Sequence, residues 1–161
     1  MSVLILSYIL AVSTKNANFY IKFLNKYGTQ FIFILASLSL VGSMILSLAF
    51  TFPPCDLCWY QRIFMYPIAF TSGISLYRKD LRGGAIYSIV FAIIGGLIAL
   101  YHYLLQMTSF VGESAVLCSP TAGSDCSVPE FVKFGFVTIP FVSLIVFIVI
   151  IISSIYVLRK N

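Results

Sequence analysis

Four long apolar stretches constrain this chain more than any other feature of its sequence. Each is close to the roughly 20 residues that an α-helix needs to cross a bilayer. They lie at residues 31–52, 59–77, 84–107 and 137–158. Charged residues make up only 9% of the chain, against about 25% in soluble domains. A soluble globular enzyme is therefore nearly excluded, and the sequence predicts an all-α integral membrane protein, a four-helix transmembrane bundle.

The first 30 residues are predicted to stand apart from this bundle. The apolar run at 3–12 has only ten residues, too few to span a membrane. A signal peptide would require a basic residue before this run, and none precedes it. We predict that 1–30 is an N-terminal extension, either an interfacial helix or a ragged segment, and that 31–161 is the membrane domain.

The sparse charges indicate how the helices are oriented. With both termini in the cytoplasm, eight of the ten basic residues lie inside and four of the five acidic residues lie outside. The inner basic residues are Lys15, Lys22, Lys26, Arg78, Lys79, Arg82, Arg159 and Lys160. Because Lys and Arg are enriched in cytoplasmic loops, we predict cytoplasmic N and C termini. A net charge of +5 spread this thinly does not indicate nucleic-acid binding.

This orientation places all four cysteines outside. Cys55 and Cys58 lie in the short loop at 51–58, and Cys118 and Cys126 lie in the longer loop at 108–136. Disulfides persist outside the cytosol, where thiols are not kept reduced. The sequence thus predicts one cysteine pair in each of two extracytoplasmic loops.

The Cys55-Asp-Leu-Cys58 motif is the strongest chemical signal. Its spacing lets the sulfurs close a small ring, and a helix N-terminus lowers the pKa of a thiol. A disulfide of this kind opens and re-forms easily, which favours redox activity. Two alternatives remain: a structural bridge, or half of a zinc site that would need a second group of ligands.

The second pair, Cys118 and Cys126, encloses seven residues that are mostly small or polar. Alone, the pair would suit a disulfide that staples the loop. Beside an exposed C-x-x-C on the same membrane face, exchange between the two pairs is the second interpretation, since thiol exchange needs only access and a thiolate.

Polar residues near the outer ends of the second and third spans have two interpretations each. Arg62 is either an anchor that extends its guanidinium to the headgroups or a fixed cation near Cys58. His102 and Gln106 share one helix face and form either a packing pair or part of a functional site. The Gly95-Gly96 pair predicts close helix packing rather than a cofactor loop.

The run Cys-Asp-Leu-Cys-Trp-Tyr-Gln-Arg-Ile-Phe-Met-Tyr-Pro at 55–67 resembles the disulfide bond formation protein B (DsbB) family, and its compact BdbC-like branch in particular. The similarity continues at Tyr101-His-Tyr-Leu-Leu-Gln at 101–106, at the second cysteine pair, and at Gly-Phe-Val-Thr-Ile-Pro at 135–140. It covers about residues 31–158.

This resemblance implies a membrane oxidase with a bound quinone, ubiquinone or menaquinone, and a DsbA/BdbD-like thioredoxin-fold oxidase as partner. It implies that Cys118 forms the mixed disulfide with the reduced partner and that Cys126 then exchanges with Cys55. Cys58 would lie against the quinone and pass electrons to it. The implied quinone-site residues are Arg62, His102 and Gln106.

The sequence therefore predicts a thiol:quinone oxidoreductase that reoxidises this partner and supports disulfide formation in exported proteins. Electrons would pass to the membrane quinone pool and the respiratory chain, and the protein would be a multi-pass protein of the cell (plasma or inner) membrane, within the lipid bilayer. We predict no metal site. One alternative is a tetraspan structural membrane protein with two stapling disulfides. Another is an enzyme of the vitamin K epoxide reductase type, which the early position of the C-x-x-C motif disfavours.

Overall fold

The computed structural model describes residues 17–49, 55–107 and 138–160. Four helices make up nearly all of these residues: α1 (Ala17–Ala49), α2 (Asp56–Arg78), α3 (Leu81–Met107) and α4 (Ile139–Lys160). No strand occurs within the three ranges, so this part of the chain is all-α, as predicted. The run at 3–12 and the long loop at 108–136 fall outside the described residues.

The helices form a bundle in which chain neighbours are also neighbours in space. α1 packs on α2, α2 on α3 and α3 on α4, while α4 closes the bundle against α1. The centre is filled by apolar side chains from all four helices: Ile32, Ala36, Met65, Ile68, Ala69, Ala92, Ala99, Val146, Phe147 and Ile150. Because α2 and α3 are joined by only two residues, they run antiparallel, as is typical of such bundles.

Among the described residues, three segments are long and apolar enough to cross a membrane: Tyr27–Ile45, Leu81–Met107 and Ile139–Arg159. These correspond to the first, third and fourth predicted spans. α2 has 23 residues, about 34 Å of helix, but it includes the charged residues Asp56, Arg62 and Arg78 and is not among these three segments. The described part of the chain thus confirms an all-helical protein with three helices long and apolar enough to cross a membrane.

Two helix starts bear on the sequence predictions. α1 begins at Ala17, well before the predicted span, and continues through residue 31, with Leu24 and Thr29 buried on the way. α4 begins at Ile139, close to the start of the fourth predicted span, and has Pro140 in its first turn, where proline is favoured.

The contact between α3 and α4 depends on a glycine. A Cβ atom added at Gly95 would lie 2.4 Å from the ring of Phe147, and this ring is fully buried. The prediction of close helix packing at Gly95 is therefore confirmed.

Candidate active site

The C-x-x-C pair lies at the start of α2. Cys55 is the residue before the helix, with extended backbone angles, and Cys58 follows within the first turn. The two sulfurs are free and 3.3 Å apart. Cys55 is buried, whereas Cys58 is half-buried. The helical turn therefore brings the two thiols close enough to form a disulfide with little movement, since a disulfide bond is about 2.05 Å long.

His102 reaches this pair from the C-terminal half of α3. Its side chain is 1% exposed, and its Nε2 lies 3.7 Å from the Cys55 sulfur. The side-chain nitrogen of Gln106, one turn later, lies 3.2 Å from the same Nε2 atom. The structure thus brings together four of the site residues predicted from sequence: Cys55, Cys58, His102 and Gln106.

The other ring nitrogen of His102 contacts a residue that the sequence analysis missed. The Nε2 atom of Gln61, on α2, lies 3.1 Å from His102 Nδ1, and Gln61 is buried. A neutral imidazole has one donor and one acceptor nitrogen. If Gln61 donates to Nδ1, the imidazole proton is on Nε2, facing the Cys55 sulfur, and the amide of Gln106 then has to present its oxygen to that N–H. The signal for Gln61 was its position three residues after Cys58, on the same helix face.

The environment of Cys55 favours its thiolate. The pKa of the Cys55 thiol is lowered to about 4, chiefly because a hydrogen bond with Cys58 stabilises the thiolate. His102 adds a hydrogen bond and a favourable charge interaction, while burial acts in the opposite direction. The reduced pair is thereby prepared for thiol–disulfide chemistry, in which the thiolate is the nucleophile.

Arg62 is held inside the bundle. It is 8% exposed, and its Nε donates to Ser43 Oγ at 2.7 Å. Its Nη2 donates to the Ser43 carbonyl at 3.0 Å and also to Ser47 Oγ. The guanidinium carbon lies 5.3 Å from the ring centroid of Trp59. This arrangement favours a fixed cation, one turn from Cys58, over an anchor that extends to the headgroups.

Ser43 and Ser47 were also missed in the sequence analysis. They are four residues apart on α1, and so they share one helix face in an otherwise apolar segment. That spacing was the available signal. The two serines matter because they fix the guanidinium from the neighbouring helix.

The walls around the thiols are apolar. Leu57 and Leu105 are buried against Cys55, and Ile98 and Tyr101 pack on the same cluster beside Cys58. The thiols thus lie among apolar side chains as well as the polar groups of His102 and Gln106. The second predicted pair, Cys118 and Cys126, lies outside the described residues.

Comparison with known proteins agrees with this chemistry. The family described as "Disulfide bond formation protein DsbB" matches residues 26–157. "Probable disulfide formation protein C" of Bacillus cereus is 42% identical over 141 residues, which is 86% of this chain and 92% of the relative. "Probable disulfide formation protein" of Coxiella burnetii is 38% identical over 125 residues, 77% of this chain and 82% of the relative.

A third relative, "Probable disulfide formation protein C 1" of Bacillus anthracis, is 42% identical over 124 residues, 75% of this chain and 84% of its own length. No solved structure gives a significant match. The family match covers most of the chain and includes the C-x-x-C pair, Arg62, His102 and Gln106. The protein therefore belongs to the DsbB family of disulfide bond formation proteins.

Proposed function

We propose that the protein is a membrane thiol:quinone oxidoreductase that reoxidises a DsbA/BdbD-like thioredoxin-fold oxidase. The observation that carries this proposal is the Cys55–Cys58 pair, held at a helix start against His102. A stapling disulfide in a tetraspan structural protein has no need of a buried histidine that contacts one of its sulfurs.

The residues present fit a quinone. Quinone oxygens accept hydrogen bonds, and His102, Gln106 and the cation of Arg62 supply groups that donate them. The apolar walls of Leu57 and Leu105 suit its ring. When bound, a quinone accepts two electrons and two protons, and this returns the cysteine pair to its disulfide.

The thiol steps can be written for this chain as balanced exchanges. The reduced partner attacks the Cys118–Cys126 disulfide at Cys118 and then resolves the mixed disulfide, so that the partner is oxidised and both cysteines become thiols. Cys126 next attacks the oxidised pair at Cys55 and releases the Cys58 thiolate.

Cys118 then displaces Cys55 from Cys126. This re-forms the outer disulfide and leaves Cys55 and Cys58 reduced, so two electrons have moved inward. For this exchange, Cys55 has to become more exposed than its present 7%. The hydrogen bonds that lower its pKa make Cys55 a good leaving group.

We also propose that α2 is a fourth membrane span. Its buried face carries the polar residues Gln61, Arg62 and Ser72, while Phe70 and Ile74 are exposed. A membrane helix places polar groups toward the bundle interior and apolar groups toward lipid. The cysteine loops would then lie on the extracytoplasmic side of the cell membrane.

The test is quinone reduction by the purified full chain with a reduced thioredoxin-fold partner. We expect Cys58→Ser to reduce quinone no faster than the mixture without enzyme. A Ser72→Ala variant is the control, because Ser72 is buried on the same helix and donates only within it. Normal partner oxidation and quinone reduction by Cys58→Ser would overturn the proposal.

A further inference from the structure

Three side chains of the types that bind transition metals meet at the start of α2. A sulfur from Cys55, a sulfur from Cys58 and a ring nitrogen from His102 all lie within 4.8 Å of one another. The sequence predicts no metal site, since the C-x-x-C pair alone is half of a zinc site and needs further ligands. Folding therefore supplies a third ligand.

The separations are close to those of tetrahedral zinc. With Zn–S bonds of about 2.3 Å and Zn–N bonds of about 2.0 Å, neighbouring ligand atoms lie about 3.8 Å (S to S) and about 3.6 Å (S to N) apart. The observed distances are 3.3 Å between the sulfurs and 3.7 Å between Cys55 Sγ and His102 Nε2. The third separation, between the Cys58 sulfur and the His102 ring nitrogen, is within 4.8 Å. Shifts of up to about 1 Å would bring all three atoms to these separations, with a fourth position left for a small ligand.

The Nδ1 side of His102 matches the surroundings of a metal ligand, while at Nε2 the side-chain amide of Gln106, 3.2 Å away, has to turn aside for the ion to bind. Histidines that bind a metal through one nitrogen usually donate the other N–H to a neighbouring oxygen. Gln61 lies 3.1 Å from His102 Nδ1, and turning its amide by 180° presents its oxygen there. The glutamine that orients the free histidine can thus also orient a metal-bound one.

The charges balance as well. Two thiolates and one divalent cation together have a net charge of zero. The bound ion therefore adds no net positive charge near the buried guanidinium of Arg62, one turn away. A disulfide has no thiolate to offer, so the site requires the reduced pair.

We propose that the reduced Cys55–Cys58 pair and His102 bind one Zn²⁺ ion, and that the bound ion holds the pair reduced by occupying both thiolates. Binding releases the thiol protons and changes no oxidation state. This site does not depend on the proposed quinone chemistry, because it needs only the two thiols and the imidazole.

The test uses the full chain with Cys118→Ser and Cys126→Ser, so that Cys55 and Cys58 are the only thiols. The protein is reduced with a phosphine, freed of reductant without air, and titrated with Co²⁺, whose visible spectrum reports tetrahedral thiolate ligation. We expect one Co²⁺ per chain and loss of the spectrum when Zn²⁺ is added. The same chain with Cys55 and Cys58 oxidised should show no such spectrum.

Variants then identify the third ligand. We expect His102→Ala to weaken Co²⁺ binding at least tenfold and to alter the spectrum, while Ser72→Ala, also buried but remote, keeps both unchanged. Equal Co²⁺ binding by the oxidised and reduced forms of the chain with Cys118→Ser and Cys126→Ser would overturn the proposal. Undiminished binding by His102→Ala would also overturn it. Neither result involves quinone or the thioredoxin-fold partner, so the proposed function is tested separately.

Discussion

His102 has contacts at both ring nitrogens, and this double contact gives its imidazole a defined role. Gln61 faces Nδ1 while the Cys55 sulfur and Gln106 face Nε2. Because the ring is almost fully buried, water cannot replace a lost contact easily. Gln61 is therefore a positioning residue, which acts on the thiols through the histidine.

Replacing Gln61 tests whether it positions His102. We expect Gln61→Ala to slow quinone reduction by about two- to twelvefold, since one hydrogen bond contributes about 0.5–1.5 kcal/mol. The pH profile of the rate should shift as well, because the histidine loses the group that orients its proton. Steady-state rates from low to high pH provide the measurement. A wild-type profile in Gln61→Ala, matching the Ser72→Ala control, would show that Gln61 has only a packing role.

Helix packing in this protein depends on where small residues face large ones. Gly95 on α3 accepts the ring of Phe147 on α4, and Gly28 on α1 faces Val157 in the same way. Small residues let membrane helices approach closely, and dispersion contacts then hold them together. Since α3 carries His102, the position of α3 in the bundle also sets the distance from His102 to Cys55.

A pair of alanine substitutions separates this packing from general helix effects. In Gly95→Ala, the added methyl group would lie 2.4 Å from the ring of Phe147. Overpacking of this kind costs about 1–3 kcal/mol. Gly42 has no atom within 4 Å of such a Cβ, so Gly42→Ala should be neutral or stabilise by up to about 1 kcal/mol. Thermal unfolding in detergent, followed by circular dichroism, should show a lower Tm only for Gly95→Ala. Equal Tm values would contradict the described contact.

The helices were easier to predict than their contacts. The length of the apolar stretches identified the spans, and the C-x-x-C spacing of Cys55 and Cys58 indicated redox chemistry. The start of α1 was missed because an apolar stretch marks only the part of a helix suited to the membrane, whereas α1 begins well before its apolar stretch. Gln61 and Ser43 were missed because their partners lie 41 and 19 residues away in sequence. Such contacts depend on the rotation of each helix, which one sequence does not reveal.

The surface of the whole bundle is apolar, and its charged residues are grouped. Leu38, Phe70 and Leu97 are more than 60% exposed, as lipid-facing residues of three different helices would be. Arg78 and Lys79 are exposed at the end of α2 opposite Cys55. The basic turn and the thiols thus lie at opposite ends of a helix about 34 Å long.

This separation predicts the sidedness of the protein. In a chain without its native cysteines, Arg82→Cys should react with a membrane-impermeant thiol reagent only after the cells are permeabilised. A chain that retains only Cys58, treated with reductant, should react in intact cells. Labelling of the Arg82→Cys chain in intact cells, with none of Cys58, would show that the topology is inverted.

In the proposed function, electrons leave the Cys55–Cys58 pair for a quinone. This transfer can be measured by mixing the anaerobic, reduced full chain, carrying Cys118→Ser and Cys126→Ser and freed of metal, with one equivalent of ubiquinone or menaquinone. Quinone absorbance and free thiols are then followed together. We expect one quinone to be reduced for every two thiols lost. Thiols that persist with both quinones, or that disappear while the quinone stays oxidised, would contradict it.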